Sequence, residues 1–151
     1  MATFEPRDPD FAARVRASFA RQTIMNTLGA ELHNVAPGWV TISLPYRADL
    51  CQQHGFLHAG VLTTIVDSAC GYAALSLLPP EVGILSIEFK VNFMAPARGE
   101  FLLAHGHVVR TGRTISVCNG EVITRSKGHE QTIALMQATM MTIEGRAGVR
   151  D

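Results

Sequence analysis

The spacing of hydrophobic positions changes several times along this chain, and each change marks an element. Phe11, Val15 and Phe19 recur every four residues while Arg14, Arg16 and Arg21 fall off that stripe. This predicts an amphipathic helix over about 9–28, serving as a cover on a sheet or as a subunit contact. Asp8-Pro9-Asp10 supplies its start, a break is expected before Thr23, and Gly29 supplies its end. From residue 30 the period becomes two. Segments 30–36 and 39–46 read as strands joined by Pro37-Gly38. In the second, Val40, Ile42 and Leu44 alternate with Thr41, Ser43 and Pro45, and the proline confines that end to an edge or a strand terminus.

Residues 52–74 depart from both patterns. The stretch opens with polar and glycine-rich residues, then becomes an apolar helix in which Asp67 is the only formal charge. Leu78-Pro79-Pro80 ends it. Four strand-like runs follow, at 84–93, 99–111, 114–125 and 131–144. Pro96 to Gly99 separates the first pair, Thr111-Gly112-Arg113 turns the second, and Ser126-Lys127-Gly128-His129 turns the third. The short links predict an antiparallel meander that wraps the apolar helix. The class is α+β in one domain, with a core over about 28–144 and a disordered tail over 145–151.

Composition narrows the functional classes. With 151 residues the chain is long enough to bury a core, and its formal net charge of zero gives no basic field for nucleic acid or an anionic membrane. No charge-free apolar run reaches the ~18 residues of a membrane span, and the polar, acidic N-terminus does not resemble a signal peptide. Cys51, Cys70 and Cys118 are odd in number and widely spaced. They argue against a disulfide framework or a structural zinc site and suit a reducing cytoplasm. His105 and His107 share one strand face, where half-exposed strand positions are expected rather than a metal pair.

A carboxylate inside an apolar helix is costly to bury unless it is paired, hydrogen-bonded or used. At ~100° per residue, Gly60, Thr63, Thr64, Asp67, Cys70, Gly71 and Ala74 fall on one side, while Leu62, Ile65, Val66, Ala69 and Ala73 cover the rest. Two readings stand at this point. The small stripe packs against another helix around a hydrogen-bonded Asp67, or it holds Asp67 where a ligand enters between two subunits. His54-Gly55 and His58-Ala59-Gly60 add unpaired N–H groups at the positive end of the helix dipole. Such donors hold an anion or stabilise a developing oxyanion, each worth about 3 kcal/mol.

Gln52-x-His54-Gly55-x-x-His58-Ala59-Gly60, followed by Asp67-Ser68-Ala69, resembles the N-x-H-G-x-x-H-G-G-x6-D-x-A signature of hotdog-fold acyl-CoA thioesterases, in their PaaI-like (phenylacetic acid degradation) branch. The likeness runs from residue 28 to 143. It implies one helix wrapped by an antiparallel sheet, subunits paired edge to edge into homodimers, dimers paired again into tetramers, and active sites at the dimer interface. It further implies that Asp67 is the general base or nucleophile, that the Ala59 N–H of the partner subunit polarises the thioester carbonyl, and that Ser86 orients the acid or the water. Gln52 matches an amide that contacts the carbonyl or water. His58 supports the loop, with Gly60 beside it, and His54 and Gly55 shape the acyl mouth. Arg113, in a turn resembling one used for CoA contacts, joins Arg98, Arg110 and Lys127 as candidates for the CoA phosphates.

The resemblance implies an acyl-CoA substrate and no metal or organic cofactor. This chain departs from the signature twice. Ala59 stands for a glycine, which preserves the backbone donor where φ is negative. Gln52 stands for an asparagine, which calls for a shifted loop. Two other classes compete: a hotdog dehydratase or hydratase using His54 with Asp67, and a non-catalytic acyl-CoA binder, for which a desolvated Asp67 has no use.

Overall fold

The computed structural model describes residues 4–149, so the first three residues and the last two of the expected tail lie outside the described residues. Two helices open the chain, α1 (Phe11–Arg21) and α2 (Thr23–Leu28). The strands β1 (Glu31–Ala36) and β2 (Trp39–Pro45) and a single helical turn at Ala48–Leu50 come next. Then follow α3 (Ala59–Leu75), β3 (Gly83–Phe93), β4 (Phe101–Thr111), β5 (Ile115–Ser126) and β6 (His129–Ile143). The break before Thr23 is real. Gln22 leaves the helix with ψ 94°, and Gly29 closes α2 in the left-handed conformation at φ 72°.

All six strands form one antiparallel sheet in the order β1-β2-β4-β5-β6-β3. The expected meander therefore holds only for β4, β5 and β6. β3 pairs with β6, and β2 takes the place beside β4. The cause is α3, which lies along the sheet between β2 and β3, so the chain re-enters at the opposite edge. No tight turn draws β3 back to β4: the N–H groups of Met94 and Ala95 donate to Ile133 O at 2.8 and 3.4 Å, keeping the strand exit tied to β6. β2 lies inside the sheet, so Pro45 marks a strand terminus, opposite Phe101.

The sheet curls round α3, as expected of a hotdog fold. Val40, Ile42, Leu44, Leu102, Val122, Ala134 and Met140 meet Leu62, Ile65, Val66, Ala69 and Ala73 in a solvent-free core. The curl encloses more of the helix than the periodicity predicts. Cys70 and Ala74, assigned to the open stripe, are fully buried. The accessible strip narrows to Gly60, Thr63, Thr64, Asp67 and Gly71, with Ser68 beside them.

Two features outside this core bear on the site. β3 is an outer strand on which Leu85, Ile87, Phe89 and Phe93 are 44, 53, 42 and 47% exposed. α1 is tied to the far end of α3 by Arg14, whose guanidinium donates to the carbonyls of Leu75, Leu78 and Pro79. Past β6, the Val149 N–H bonds Arg146 O at 3.2 Å, and the tail up to that residue packs against Gly83.

Candidate active site

The lead into α3 is a closed turn. The Gln52 N–H donates to Phe56 O at 2.8 Å, the Gly55 N–H returns to Gln52 O at 3.0 Å, and Gly55 takes φ 78°. His58 then caps the helix. Its backbone is extended, and its Nδ1 accepts from the Gly60 N–H at 2.9 Å. An accepting Nδ1 leaves the ring proton on Nε2.

This cap changes the donor inventory that the sequence led us to expect. The Gly60 N–H is engaged, and glycine there makes room for the imidazole, since a Cβ would lie 3.1 Å from His58 Nδ1. The Ala59 N–H has no acceptor among the described residues. Ala59 is the first residue of α3 and has no positive φ, so alanine fits where the signature has glycine. The Gln52 side chain turns back into its own loop, its Oε1 accepting from the His54 N–H. Its longer reach is thus absorbed by the turn.

A cavity of about 630 Å³ opens beside this helix start. Gln52, Phe56, Leu57, His58, Ala59 and Leu62 form one wall, and residues 93–97 form the other. It falls within the ~300–1,000 Å³ range of small-molecule sites. Arg98 lies at its rim, its guanidinium 4.1 Å from the centre of the Phe56 ring. His54 is exposed at the turn.

Asp67 occupies a different place. Ser86 Oγ, from β3, donates to Asp67 Oδ1 at 2.7 Å and lies 3.2 Å from Met140 Sδ. Burial pushes the Asp67 carboxyl above its ordinary value, and the Ser86 hydrogen bond pulls it part of the way back. The pair lines a small cavity of about 100 Å³, together with Gln22, Ser68, Gly71, Tyr72, Ile84 and Met140.

The two places are separated along one helix. Ala59 and Asp67 are eight residues apart in α3, roughly 12 Å at ~1.5 Å per residue. Within one chain the structure therefore brings together Asp67 with Ser86, and separately Gln52, His58 and Ala59. It does not join the groups. His54 is exposed, pairs with Gln53 and does not line the Asp67 cavity, so the His54–Asp67 pair of a dehydratase is not assembled within a chain either. Arg113 is exposed in the β4–β5 turn. Thr111 aligns with Ser116, Ser116 with Met140 and Met140 with Ser86, so that turn is at the Ser86 end of the sheet.

His105 and His107 flank the Trp39 ring at 5.7 and 5.4 Å between centroids, and His105 Nδ1 pairs with Thr41 Oγ1 at 2.9 Å. No cluster of three or more His, Cys, Asp or Glu side chains is arranged for a metal among the described residues. No helix there is long and apolar enough to cross a membrane. Gln22 and Met140 are cavity residues that the sequence did not point to. Gln22 comes from the helix break, and only contact with α3 reveals its place. Phe56, Leu57 and Met94 line the large cavity with apolar surface, whereas Tyr72 is in the Asp67 cavity.

A long helix cradled by a six-stranded antiparallel sheet, with a carboxylate at its middle and a vacant N–H at its start, defines a hotdog protein of the thioesterase type. The chain belongs to the thioesterase superfamily, whose family model matches residues 54–129. It is 31% identical over 120 residues to a Halobacterium salinarum protein whose name assigns it provisionally to the esterases, covering 76% of this chain and 79% of that one. The solved structure of a thioesterase family protein from Silicibacter pomeroyi is similar at 49% identity with a TM-score of 0.88, over 89% of this chain and 99% of that one. The PaaI protein of the Escherichia coli phenylacetic acid degradation operon shares the fold at 19% identity, TM-score 0.80, over 95% of this chain and 98% of that one. Family membership, with the Halobacterium and Silicibacter relatives, supports thioester hydrolysis as the class of activity.

Proposed function

We propose that the protein hydrolyses acyl- or aryl-CoA thioesters to free acid and CoA, at sites shared between two subunits. The observation that carries this reading is the Asp67–Ser86 pair: a partly desolvated carboxylate, held by one hydrogen bond at the edge of a small polar cavity. A non-catalytic binder would bear the cost of that desolvation without using it.

The split between Asp67 and Ala59 supports a dimer. Pairing two β3 edges antiparallel would cover the apolar side chains along that strand and set the Asp67 of each subunit towards the Ala59 of the partner subunit. The thioester carbonyl oxygen then accepts from the Ala59 N–H at the positive end of α3, where charge develops in the transition state. Asp67 acts as general base on a water, or attacks the carbonyl carbon directly, with Ser86 fixing its orientation. The C–S bond breaks and the CoA thiolate leaves and is protonated.

Phe56, Leu57 and Met94 would contact the acyl group, with His54 and Gly55 at its mouth, Gln52 near the reacting carbonyl, and His58 with Gly60 holding the helix start. Arg98 and Arg113 would face the CoA phosphates. This chemistry calls for no metal or organic cofactor. We further propose a dimer of dimers and a cytoplasmic location, the latter in keeping with three free cysteines.

The test is thiol release from phenylacetyl-CoA, butanoyl-CoA and lauroyl-CoA. Turnover of at least one is expected, with a loss of about 10²-fold or more in Asp67→Asn. Wild-type turnover in that variant would sink the assignment.

A further inference from the structure

Among the described residues, Gln22 is the one that reaches the Asp67 cavity from the N-terminal helices. Its position follows from a matched pair of steps. Ser18 and Gln22 are four residues apart at the end of α1, and Tyr72 and Ser68 are four apart on α3. Ser18 Oγ lies 3.4 Å from Tyr72 OH, and Ser68 Oγ donates to Gln22 Oε1 at 3.3 Å. Phe19 packs on Tyr72 with ring centroids 5.8 Å apart. The two helices thus run antiparallel with their polar contacts in step. The chain leaves α1 at Gln22, so this side chain lies on α3 where α1 ends.

The cavity it lines holds about 100 Å³, against about 630 Å³ for the cavity beside Ala59. The smaller space is too tight for an acyl chain or a pantetheine arm, yet ample for water. Its polar wall is made by Asp67, Ser68, Ser86, Tyr72 and Gln22. A buried water needs two to four hydrogen-bonding partners. Asp67 Oδ1 is taken by Ser86, leaving Oδ2 as an acceptor, and Gln22 Oε1 is taken by Ser68. The Gln22 amide N–H₂ has no acceptor among the described residues.

We infer that the cavity is the water pocket of the reaction and that Gln22 is its water-positioning residue. The inference rests on the thioesterase reading above. The Gln22 amide donates to the oxygen of a water whose own proton points to Asp67 Oδ2. This aims a lone pair of the water at the thioester. On attack, the water oxygen bonds to the carbonyl carbon, its proton passes to Asp67, the C–S bond breaks, and that proton reaches the departing CoA thiolate. The N-terminal helices are thereby part of the reaction site and more than a cover for the sheet.

The test is Gln22→Met, which keeps the side-chain length and removes the amide, assayed on whichever of the three acyl-CoAs turns over fastest. The hydrolytic kcat is expected to fall about tenfold, with KM within about twofold, because one hydrogen bond to a reacting water is lost. A second readout separates positioning from general damage. Hydroxylamine competes with water for the acyl group and yields the hydroxamic acid plus CoA; it does not depend on the Gln22 donor. At one hydroxylamine concentration, after subtraction of the enzyme-free reaction, the ratio of hydroxamate to free acid should rise in Gln22→Met. Ser68→Ala, which frees the Gln22 amide without altering the helix break, should shift the ratio in the same direction by less.

An unchanged ratio in both variants, or a wild-type kcat in Gln22→Met, overturns the inference. Asp67→Asn is run alongside. If it loses turnover while Gln22→Met does not, only the role of Gln22 falls. If Asp67→Asn itself keeps wild-type turnover, the thioesterase mechanism falls and this inference with it.

Discussion

Gly106 and Gly120 face each other across β4 and β5, and α3 rests directly on the pair. A Cβ on Gly106 would lie 2.3 Å from the backbone carbon of Ala69, and one on Gly120 would lie 2.5 Å from Val66 Cγ2 and 2.8 Å from Cys70 Sγ. The helix that carries Asp67 is therefore set against the sheet by two missing side chains. Its depth in turn decides how far Asp67 stands from Ser86.

Gly106→Ala should be the more damaging of the two substitutions. Its clash is with helix backbone, which moves only if α3 lifts, so a loss of about 3 kcal/mol or more is expected. Gly120→Ala meets side-chain ends and should cost about 1–2 kcal/mol. Denaturant unfolding of both variants checks the order. A Gly106→Ala stability within ~0.5 kcal/mol of wild type would contradict so close a contact.

Arg14 holds the opposite end of the same helix. Its Nη1 donates to Pro79 O at 2.6 Å, its Nη2 to Leu75 O and Leu78 O at 2.9 Å each, and it pairs with Asp8 at 3.3 Å. These carbonyls lie at and just past the end of α3, where the chain turns away; among the described residues the only backbone donor to them is the Leu78 N–H, which goes to Leu75 O at 3.0 Å. Removing one side of a largely buried charged cluster costs several kcal/mol, so Arg14→Ala should lose about 3 kcal/mol. Arg14→Lys should recover only part, because a single ammonium cannot span the contacts of a planar fork. Thermal unfolding of the two variants reads this directly.

Asp67 should make the fold less stable as pH rises. Burial holds its carboxyl above the ordinary 3.8, so the folded state binds more protons than the unfolded state between 3.8 and that raised value. Stability linked to this group is full below that window and is lost as pH rises through it. At pH 7 Asp67→Asn should therefore unfold at a temperature equal to or higher than wild type, while turnover collapses. A variant both inactive and clearly less stable at pH 7 would point to a structural role for the carboxylate.

Ser86→Ala acts on the same carboxyl by removing the hydrogen bond that opposes the effect of burial. Losing the 2.7 Å hydrogen bond removes what holds the pKa down, so the Asp67 pKa should rise further. The acid limb of the kcat/KM profile should move to higher pH, and kcat should fall more than KM changes. A pH–rate profile that overlays wild type would exclude the contact from catalysis.

The exposed edge of β3 offers the test of subunit sharing. Ile87→Lys and Phe89→Glu place charges on side chains 53 and 42% exposed in the single chain, where a paired sheet would bury them. The double variant should sediment as a monomer and lose turnover together with assembly. An active monomer would contradict a site built from two subunits.

Much of this protein is legible in one dimension. The four-residue stripe of Phe11, Val15 and Phe19, the alternation from Val40 to Leu44, and the lone Asp67 in an apolar helix are local patterns. Local patterns determine element type, element ends and the residue most worth testing. The break at Gln22 and the cap at Gly29 belong with them, because both are settled by backbone preferences within a few residues. The signature from Gln52 to Ala69 carried the family as well.

What only the tertiary structure decided depends on contacts between distant segments. β3 lies beside β6 because α3 spans the sheet before it, a fact that turn lengths do not encode. Cys70 and Ala74 are buried because the sheet curls further round α3 than one helical face. The Gly60 N–H is consumed by His58 and the Val61 N–H by His58 O, so among the described residues the free donor at the helix start is Ala59. Gln22 enters the Asp67 cavity because Ser18 and Gln22 on one helix match Tyr72 and Ser68 on another, and residues 46 positions apart, such as Gln22 and Ser68, meet only when the chain is folded.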